Sequence, residues 1–295
     1  MLILFLWAAV LTRFGLRLAG FRREWIQGPE GKISLWRGPA GEDKPLLIIA
    51  HGMGDWTGGW RRLLWRIRRD FQIVIFDFPG YGDSPRPEGV SFASLEQLGA
   101  ALRAAIAAAP PRPYILLGQS LGGWVALREA GAGLPGLARL VLMNPAGAPN
   151  GDLEVTRTLL TDGGPHSQRH IRHAIYGAHI PWRQYLLAPL YRRARALPGY
   201  SGFTRALSPA MMLPDNFQPP AAPVDFIFGT DDHLFGEPSR RWFAEKFPEA
   251  RVTLLPAGHA LHFQAPGAVA NYLRALTPAT QPAAEAPSAS IAANS

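Results

Sequence analysis

A serine flanked by glycines is the residue of this chain best placed for covalent chemistry. The motif G-Q-S-L-G at residues 118–122 follows an apolar run of strand length, Tyr114–Leu117, and precedes a helical stretch. A serine at a tight turn between strand and helix sits on a strained backbone, and small neighbours let the two elements approach closely. The helix N-terminus directs backbone N–H groups toward developing negative charge. This context predicts that Ser120 is a nucleophile.

An acid and a histidine follow the ends of two later strand-length runs. The run Val224–Phe228 is followed by G-T-D-D at 229–232, and Val252–Leu255 is followed shortly by G-H at 258–259. A nucleophilic serine needs a base, the base needs an orienting acid, and the usual chain order at such a turn is serine, acid, histidine. Because the carboxyl ends of parallel strands meet at one sheet edge, these groups should lie near Ser120. His259 is therefore the predicted base.

The acid is one of two adjacent aspartates, Asp231 and Asp232. Adjacent side chains point in different directions, so only one of them can orient His259. We favour Asp232 as the acid and Asp231 as a residue that caps the loop. Asp225 stands at the start of its strand, on the far side of the sheet, and is not favoured.

Two backbone N–H groups are candidates for holding an oxyanion. Leu121 directly follows the serine and supplies one of them. The loop after the apolar run Leu46–Ala50 reads H-G-M-G at 51–54, and its glycines allow the N–H of Met53 to face the same site. His51 is expected to hold this loop rather than to transfer protons.

Strand-length apolar runs alternate with helical stretches along most of the chain. Strands are predicted at Ile33–Trp36, Leu46–Ala50, Ile73–Phe76, Tyr114–Leu117, Leu140–Met143, Val224–Phe228 and Val252–Leu255, and helices at Thr57–Arg69, Phe92–Ala109, Leu121–Ala130, Ser239–Phe247 and Pro266–Leu276. Continuously apolar strands are typical of a sheet covered on both faces. The pattern predicts an α/β fold with a doubly wound, mostly parallel sheet. Residues 147–222 show no convincing strand, which predicts a helical cap inserted between two strands.

Composition excludes several classes of protein. The 295 residues are 47% apolar and 18% charged, which is typical of a globular chain with one large domain or two. The absence of cysteine excludes thiol nucleophiles, disulfides and cysteine-bound zinc. The net charge is +8, but no nucleic-acid motif accompanies it, so no nucleic-acid partner is predicted. No pattern of residues predicts a metal or another cofactor.

The two ends of the chain differ from its middle. Residues 1–25 contain an unbroken apolar run, Met1–Leu11, followed by Arg13 and Arg17 on one helix face. This predicts an N-terminal helix at residues 1–25, of which residues 1–21 anchor in or lie on a membrane surface, and packing against the domain or a partner is the alternative. The basic cluster would put the catalytic domain on the cytoplasmic side, and without a membrane the expected location is the cytoplasm. Residues 278–295, rich in Ala, Pro and Ser, are expected to be disordered.

Five motifs in order resemble the α/β-hydrolase superfamily of Ser-His-Asp enzymes. They are H-G-M-G at 51–54, D-F-P-G-Y-G-D-S at 77–84, G-Q-S-L-G at 118–122, G-T-D-D at 229–232 and G-H-A-L-H-F-Q-A-P at 258–266. The resemblance implies an α/β-hydrolase core at 26–146 and 223–277, a helical cap at 147–222, and Asp232 as the acid. Gln264 stands where many relatives carry Glu. The apolar segment ahead of the core is similar to that of membrane-associated monoacylglycerol lipases.

The predicted function is that of a serine hydrolase acting on carboxylic esters. Ser120, Asp232 and His259 would form its triad, and the N–H groups of Met53 and Leu121 its oxyanion hole. The expected substrate is a small ester with an acyl chain, as for a carboxylesterase or a lipase of acylglycerols. One alternative uses the same triad for C–C bond hydrolysis, acyl transfer or perhydrolysis. Another is a ligand-binding or accessory protein with low turnover.

Overall fold

The computed structural model describes residues 2–149, 153–161, 165–178 and 198–276 of the chain. The predicted tail at 278–295 lies outside these residues, as do Met1 and three parts of the predicted cap, 150–152, 162–164 and 179–197.

Within the described residues, eight strands form a sheet in the order β1-β2-β4-β3-β5-β6-β7-β8. Their bounds are β1 Arg22–Gly28, β2 Gly31–Arg37, β3 Leu46–Ala50, β4 Gln72–Phe76, β5 Tyr114–Gln119, β6 Leu137–Met143, β7 Val224–Gly229 and β8 Arg251–Leu255. Strand β2 is antiparallel to both β1 and β4, whereas every other neighbouring pair is parallel. The carboxyl ends of β3 to β8 therefore share one edge of the sheet.

Helices precede the sheet and connect its strands. Their bounds are α1 Leu2–Leu18, α2 Arg61–Ile67, α3 Leu95–Ala107, α4 Leu121–Gly131, α5 Leu153–Thr161, α6 Pro165–Tyr176, α7 Pro198–Ala206, α8 Gly236–Lys246, α9 Leu261–Gln264 and α10 Pro266–Leu276. A 3-10 turn at Thr57–Trp60 leads into α2, and another lies at Pro209–Met211.

Successive side chains of the central strands point to opposite faces of the sheet and form a core on each face. In β3, the side chains of Leu46 and Ile48 join the core that α3 and α4 cover. Those of Leu47 and Ile49 join the core that α2, α10 and the end of α1 cover. All five residues of β3 are buried, as a strand covered on both faces requires. The predicted α/β fold with a mostly parallel sheet is confirmed.

The local structure departs from the sequence prediction at β1 and in the segment 57–69, among other places. Strand β1 was not among the predicted strands: its sequence, R-R-E-W-I-Q-G, is largely polar, and it lies at the sheet edge with β2 as its neighbour. The predicted helix Thr57–Arg69 is instead a 3-10 turn followed by α2, which ends at Ile67.

The chain between β6 and β7 contains α5, α6 and α7, and its described part contains no strand. These helices lie within the segment 147–222 that the sequence assigns to the cap.

Helix α1 ends at Leu18, and β1 begins at Arg22, within the segment 1–25 that the sequence assigns to an N-terminal helix. None of the helices among the described residues has the length and hydropathy that crossing a bilayer demands.

Candidate active site

Ser120 occupies a strained turn between β5 and α4. Its backbone φ is 52°, a left-handed value that is uncommon for a residue other than glycine. The turn fits because Gly122 lies against β3: a Cβ at this position would lie 2.3 Å from the carbonyl oxygen of Ala50. The N–H of Ser120 donates to the carbonyl of Met143 at 3.0 Å, which ties the turn to the end of β6. The turn places Ser120 at the carboxyl edge of the sheet.

His259 is paired with Asp232 at the ends of β8 and β7. The Nδ1 atom of His259 lies 2.8 Å from Oδ2 of Asp232, and both side chains are buried. The other carboxylate oxygen, Oδ1, accepts the N–H of Leu234 at 2.9 Å. A carboxylate at Nδ1 favours the tautomer with its proton there, which leaves Nε2 as an acceptor. Within the described residues no hydrogen bond joins Ser120 to His259, and such bonds often form only when substrate binds.

Asp231, the neighbour of Asp232, takes a different position. Its N–H donates to the carbonyl of Ala257 at 3.0 Å, and its Cβ packs against Gly177. The structure therefore brings Asp232, and not Asp231, to the imidazole of His259.

Asn144, which follows β6, joins the loops that carry Asp232 and His259. Its Nδ2 donates to the carbonyl oxygens of Gly258 and His259 at 3.2 and 2.9 Å, and its Oδ1 accepts the N–H of Gly229 at 2.9 Å. Its φ of 41° is again left-handed. Sequence reasoning gave Asn144 no role in the site, although a buried polar residue at a strand end was the available signal.

The two predicted oxyanion donors lie close to Ser120. Gly52 passes so close to the serine turn that a Cβ there would lie 2.2 Å from Oε1 of Gln119 and 3.1 Å from Cβ of Ser120. Met53 and Leu121 both line the cavity beside Ser120. Within the described residues neither of their N–H groups has a hydrogen-bond acceptor, so both are available to an oxyanion.

His51 joins two loops at the edge of the site. Its Nδ1 lies 2.8 Å from the carbonyl oxygen of Gly52, and its Nε2 accepts the N–H of Phe78 at 3.0 Å. Both ring nitrogens are therefore engaged with backbone groups, which agrees with a role in holding the loop at 51–54.

Asp77 holds the next loop in place from a fully buried position. Its Oδ1 accepts the N–H of Thr57 at 2.7 Å, and its Oδ2 accepts the N–H of Asp83 at 3.0 Å. Burial raises the pKa of Asp77 above its ordinary value, although the nearby His51 and the two N–H donors act in the opposite direction.

His262 forms a second histidine–aspartate pair near the site. Its Nε2 lies 3.0 Å from Oδ2 of Asp55, and its ring stacks on Trp60 with the ring centres 4.4 Å apart. Burial raises the pKa of Asp55, but the charge and hydrogen bond of His262, together with His51 and the N–H of Trp56, outweigh burial and leave the pKa below its ordinary value. The pair joins the loop that follows Met53 to the helix that follows His259.

A cavity of about 170 Å³ opens beside Ser120. Its walls include helices α5 and α7 and their surroundings, with apolar side chains from Leu153, Leu160, Phe203, Leu207 and Met212. The described lining contains no charged side chain. Phe235 lines the cavity and also contacts the ring of His259 edge to face, with the centres 5.2 Å apart.

Residues 47–272 match the model of the alpha/beta hydrolase family. The chain is 26% identical over 249 residues to a protein of Cronobacter sakazakii named "Putative carbamate hydrolase RutD", an alignment covering 75% of this chain and 86% of the relative.

Two solved structures show a similar fold. One is a membrane phospholipase A described as a novel bacterial virulence factor, with a TM-score of 0.75 and 22% identity, covering 90% of this chain and 89% of that one. The other is the carboxylesterase CesB from Bacillus subtilis, with a TM-score of 0.66 and 19% identity, covering 92% and 96%.

Proposed function

The chain belongs to the alpha/beta hydrolase family, and we propose that it is a serine hydrolase that cleaves carboxylic esters through an acyl-enzyme. The observation that carries this proposal is the buried contact between His259 and Asp232 at the sheet edge where the strained turn presents Ser120. A binding protein has no need of a base that a buried carboxylate orients, whereas a serine nucleophile requires one.

The reaction begins when His259 Nε2 takes the proton of the Ser120 hydroxyl as the oxygen attacks the ester carbonyl. Asp232 holds the ring through Nδ1 and stabilises the imidazolium that forms. The imidazolium then protonates the leaving alcohol, and the acyl group stays on Ser120. A water molecule activated by His259 hydrolyses this acyl-enzyme and restores the serine.

The N–H groups of Met53 and Leu121 donate hydrogen bonds to the negatively charged oxygen of the tetrahedral intermediate. Both residues line the cavity next to Ser120, and both N–H groups lack another acceptor within the described residues. Donors fixed by the backbone need no rearrangement as the charge develops, so each stabilises the transition state by several kcal/mol.

The cavity favours an apolar acyl group. Its described lining carries no charge, and its volume of about 170 Å³ is below the roughly 300–1,000 Å³ of pockets that hold drug-sized ligands. An acyl chain of short to medium length fits this space better than a long or charged one. The activity is that of a carboxylesterase or a lipase of small acylglycerols.

Residues 1–21 are proposed to hold the enzyme at a membrane surface, with the catalytic domain on the cytoplasmic side. Helix α1 exposes Leu11, Phe14 and Leu18, and arginines follow it closely in the chain. Apolar side chains next to basic ones are typical of helices that lie in the bilayer interface.

Hydrolysis of p-nitrophenyl esters of graded acyl length tests the proposal, with Ser120→Ala as the comparison. The intact chain should hydrolyse short to medium esters, and the variant should lose at least about a thousandfold in kcat. Thermal unfolding of both chains shows whether the variant is folded. Turnover retained in Ser120→Ala, or faster turnover of matched phenyl carbamates than of esters, would overturn the assignment.

A further inference from the structure

Helix α1 presents a large apolar face to solvent. Leu11, Phe14 and Leu18 are 60%, 57% and 66% exposed, and their spacing of three and four residues places them on one side of the helix. Leu16, on another side, is fully buried against the domain core. The helix therefore packs on the domain with one side and leaves an apolar side free.

A tight turn connects the end of α1 to β1. Gly20 has a φ of 88°, and the N–H groups of Gly20 and Phe21 donate to the carbonyls of Arg17 and Leu16 at 2.9 and 3.0 Å. These bonds satisfy two of the carbonyls at the C-terminus of the helix. The turn leads directly into β1 and its arginines.

A shallow surface cavity lies at this turn. It is lined by Arg17, Gly20, Phe21, Arg22, Arg23 and Trp25, a set with three guanidinium groups and no carboxylate. Arg23 donates to Asp83 at 2.9 Å. Arg17 and Arg22 are exposed, and among the described residues the side chain of neither makes a hydrogen bond or an ion pair. Two guanidinium groups are therefore available to a ligand at one place.

Arginines at and near the cavity are bonded to the catalytic domain. Arg13 and Arg23 both donate to the carboxylate of Asp83, which lies in the loop at 77–84. The guanidinium of Arg13 also lies over the ring of Trp56, 5.2 Å from its centre. A ligand held at the turn would thus orient the whole domain and not only α1.

We propose that this cavity binds the phosphate headgroup of an anionic phospholipid at the bilayer surface. The proposal rests on the membrane association of residues 1–21 proposed above. Guanidinium groups match phosphate with paired hydrogen bonds, which accounts for Arg17 and Arg22. A soluble phosphate would need only these arginines. The apolar face beside them and the half-exposed Trp25 are suited to a bilayer, where acyl chains lie next to headgroups and tryptophan favours the interface.

Flotation with lipid vesicles tests the site on the full chain. One vesicle contains phosphatidylcholine alone, and the other contains an equal mixture with phosphatidylglycerol. The intact chain should bind the mixed vesicles more tightly than the neutral ones. Because each arginine near an anionic surface contributes about 1 kcal/mol, the double variant R17Q/R22Q should bind the mixed vesicles about 30-fold more weakly.

The matched control is R205Q/R251Q, which removes the same charge from exposed arginines of α7 and β8. It should bind mixed vesicles within about threefold of the intact chain, because the lost charge lies outside the site. A third variant, Phe14→Ser, should weaken binding to both kinds of vesicle because it alters the apolar face.

Equal binding of the intact chain to neutral and mixed vesicles, or equal losses in the two double variants, would overturn the headgroup site. Inorganic phosphate that binds as tightly as the mixed vesicles would assign the cavity to a soluble anion and also overturn it. No binding to either vesicle would contradict the membrane association itself. Hydrolysis of a soluble p-nitrophenyl ester, measured in parallel, should be the same in the intact chain and both double variants. This assay distinguishes a failure of the catalytic proposal from a failure of the headgroup site.

Discussion

The backbone N–H of His259 donates a hydrogen bond of 2.6 Å to the carbonyl of Ile175. The preceding carbonyl, of Ala174, accepts the N–H of His233 at 3.0 Å, and His233 is the neighbour of Asp232 in the chain. Both acceptors belong to the last turn of α6, where carbonyls have no partner within their own helix. The segment between β6 and β7 is thus bonded to the loops that carry Asp232 and His259, and its position bears directly on the geometry of His259.

Gln264 should contribute to stability through the same helix end. Its Nε2 donates to the carbonyl of Tyr176 at 3.0 Å, a bond that the carboxylate of a Glu could not make. Gln264→Leu and Gln264→Glu should each lower the free energy of unfolding by about 1–3 kcal/mol, because the carbonyl of Tyr176 loses this hydrogen bond. Urea unfolding measures the change. The control Gln218→Leu removes an exposed bond to Asn216 and should cost less than about 0.5 kcal/mol, so equal losses would refute the role of Gln264.

Replacement of the two adjacent aspartates should have very different effects on turnover. Asp232→Asn removes the charge that fixes the imidazole tautomer, so kcat for a p-nitrophenyl ester should fall by about three to four orders of magnitude. Asp231→Asn keeps the backbone bond to Ala257 and should change kcat by less than about fivefold. Steady-state kinetics on both variants give the comparison. A larger loss in Asp231→Asn than in Asp232→Asn would reverse the assignment of the acid.

The preferred acyl length should respond to Met212 and not to its neighbour. Met212 lines the cavity beside Ser120, whereas Met211 does not, and both are partly buried. Met212→Ala enlarges the cavity and should raise the ratio of kcat/KM for a longer ester over a shorter one by about tenfold. Met211→Ala should leave this ratio unchanged. The same shift in both variants would place the acyl group elsewhere.

Asp83 should make stability depend on pH in the acid range. Burial raises its pKa, but hydrogen bonds and charge from Arg13 and Arg23 outweigh burial and leave the pKa below 3.8. A carboxyl whose pKa is lowered in the folded state stabilises the protein when the pH is above the pKa that it has in the unfolded state. This contribution is lost as the pH falls through the pKa of the folded state.

Asp83→Asn should therefore lower the free energy of unfolding at about pH 7, and the difference from the intact chain should shrink below about pH 4. Urea unfolding at a series of pH values measures this difference. The exposed Asp215→Asn serves as the control and should show no such trend. A difference that is constant across the range would show that the carboxylate charge of Asp83 is not involved.

The location of the candidate active site could be predicted from sequence, because its motifs follow the ends of predicted strands. G-Q-S-L-G, G-T-D-D and G-H follow apolar runs that the structure shows as β5, β7 and β8, and parallel strands bring their carboxyl ends to one edge. Spacing alone cannot separate Asp231 from Asp232, because the choice depends on how the backbone turns after β7. The bond from Asp231 N–H to Ala257 fixes that turn and directs Asp232 to His259.

Other features depend on packing that the sequence does not display. The role of Asn144 arises from three loops that meet only in the folded chain. Strand β1 lacks the apolar pattern because it lies at the sheet edge, where polar side chains remain in water. The bonds from His259 and Gln264 to α6 join residues that are far apart in sequence and follow from no local motif.

The reaction of the intact chain with a fluorophosphonate, followed by mass spectrometry of its peptides, tests the central claim most directly. Such reagents form a stable bond with a serine that a neighbouring base activates. We predict a single adduct on the peptide that contains Ser120, a loss of esterase activity in proportion to labelling, and no adduct in Ser120→Ala. An adduct on another serine with Ser120 unmodified, or full esterase activity in the labelled chain, would contradict the proposal that Ser120 is the nucleophile.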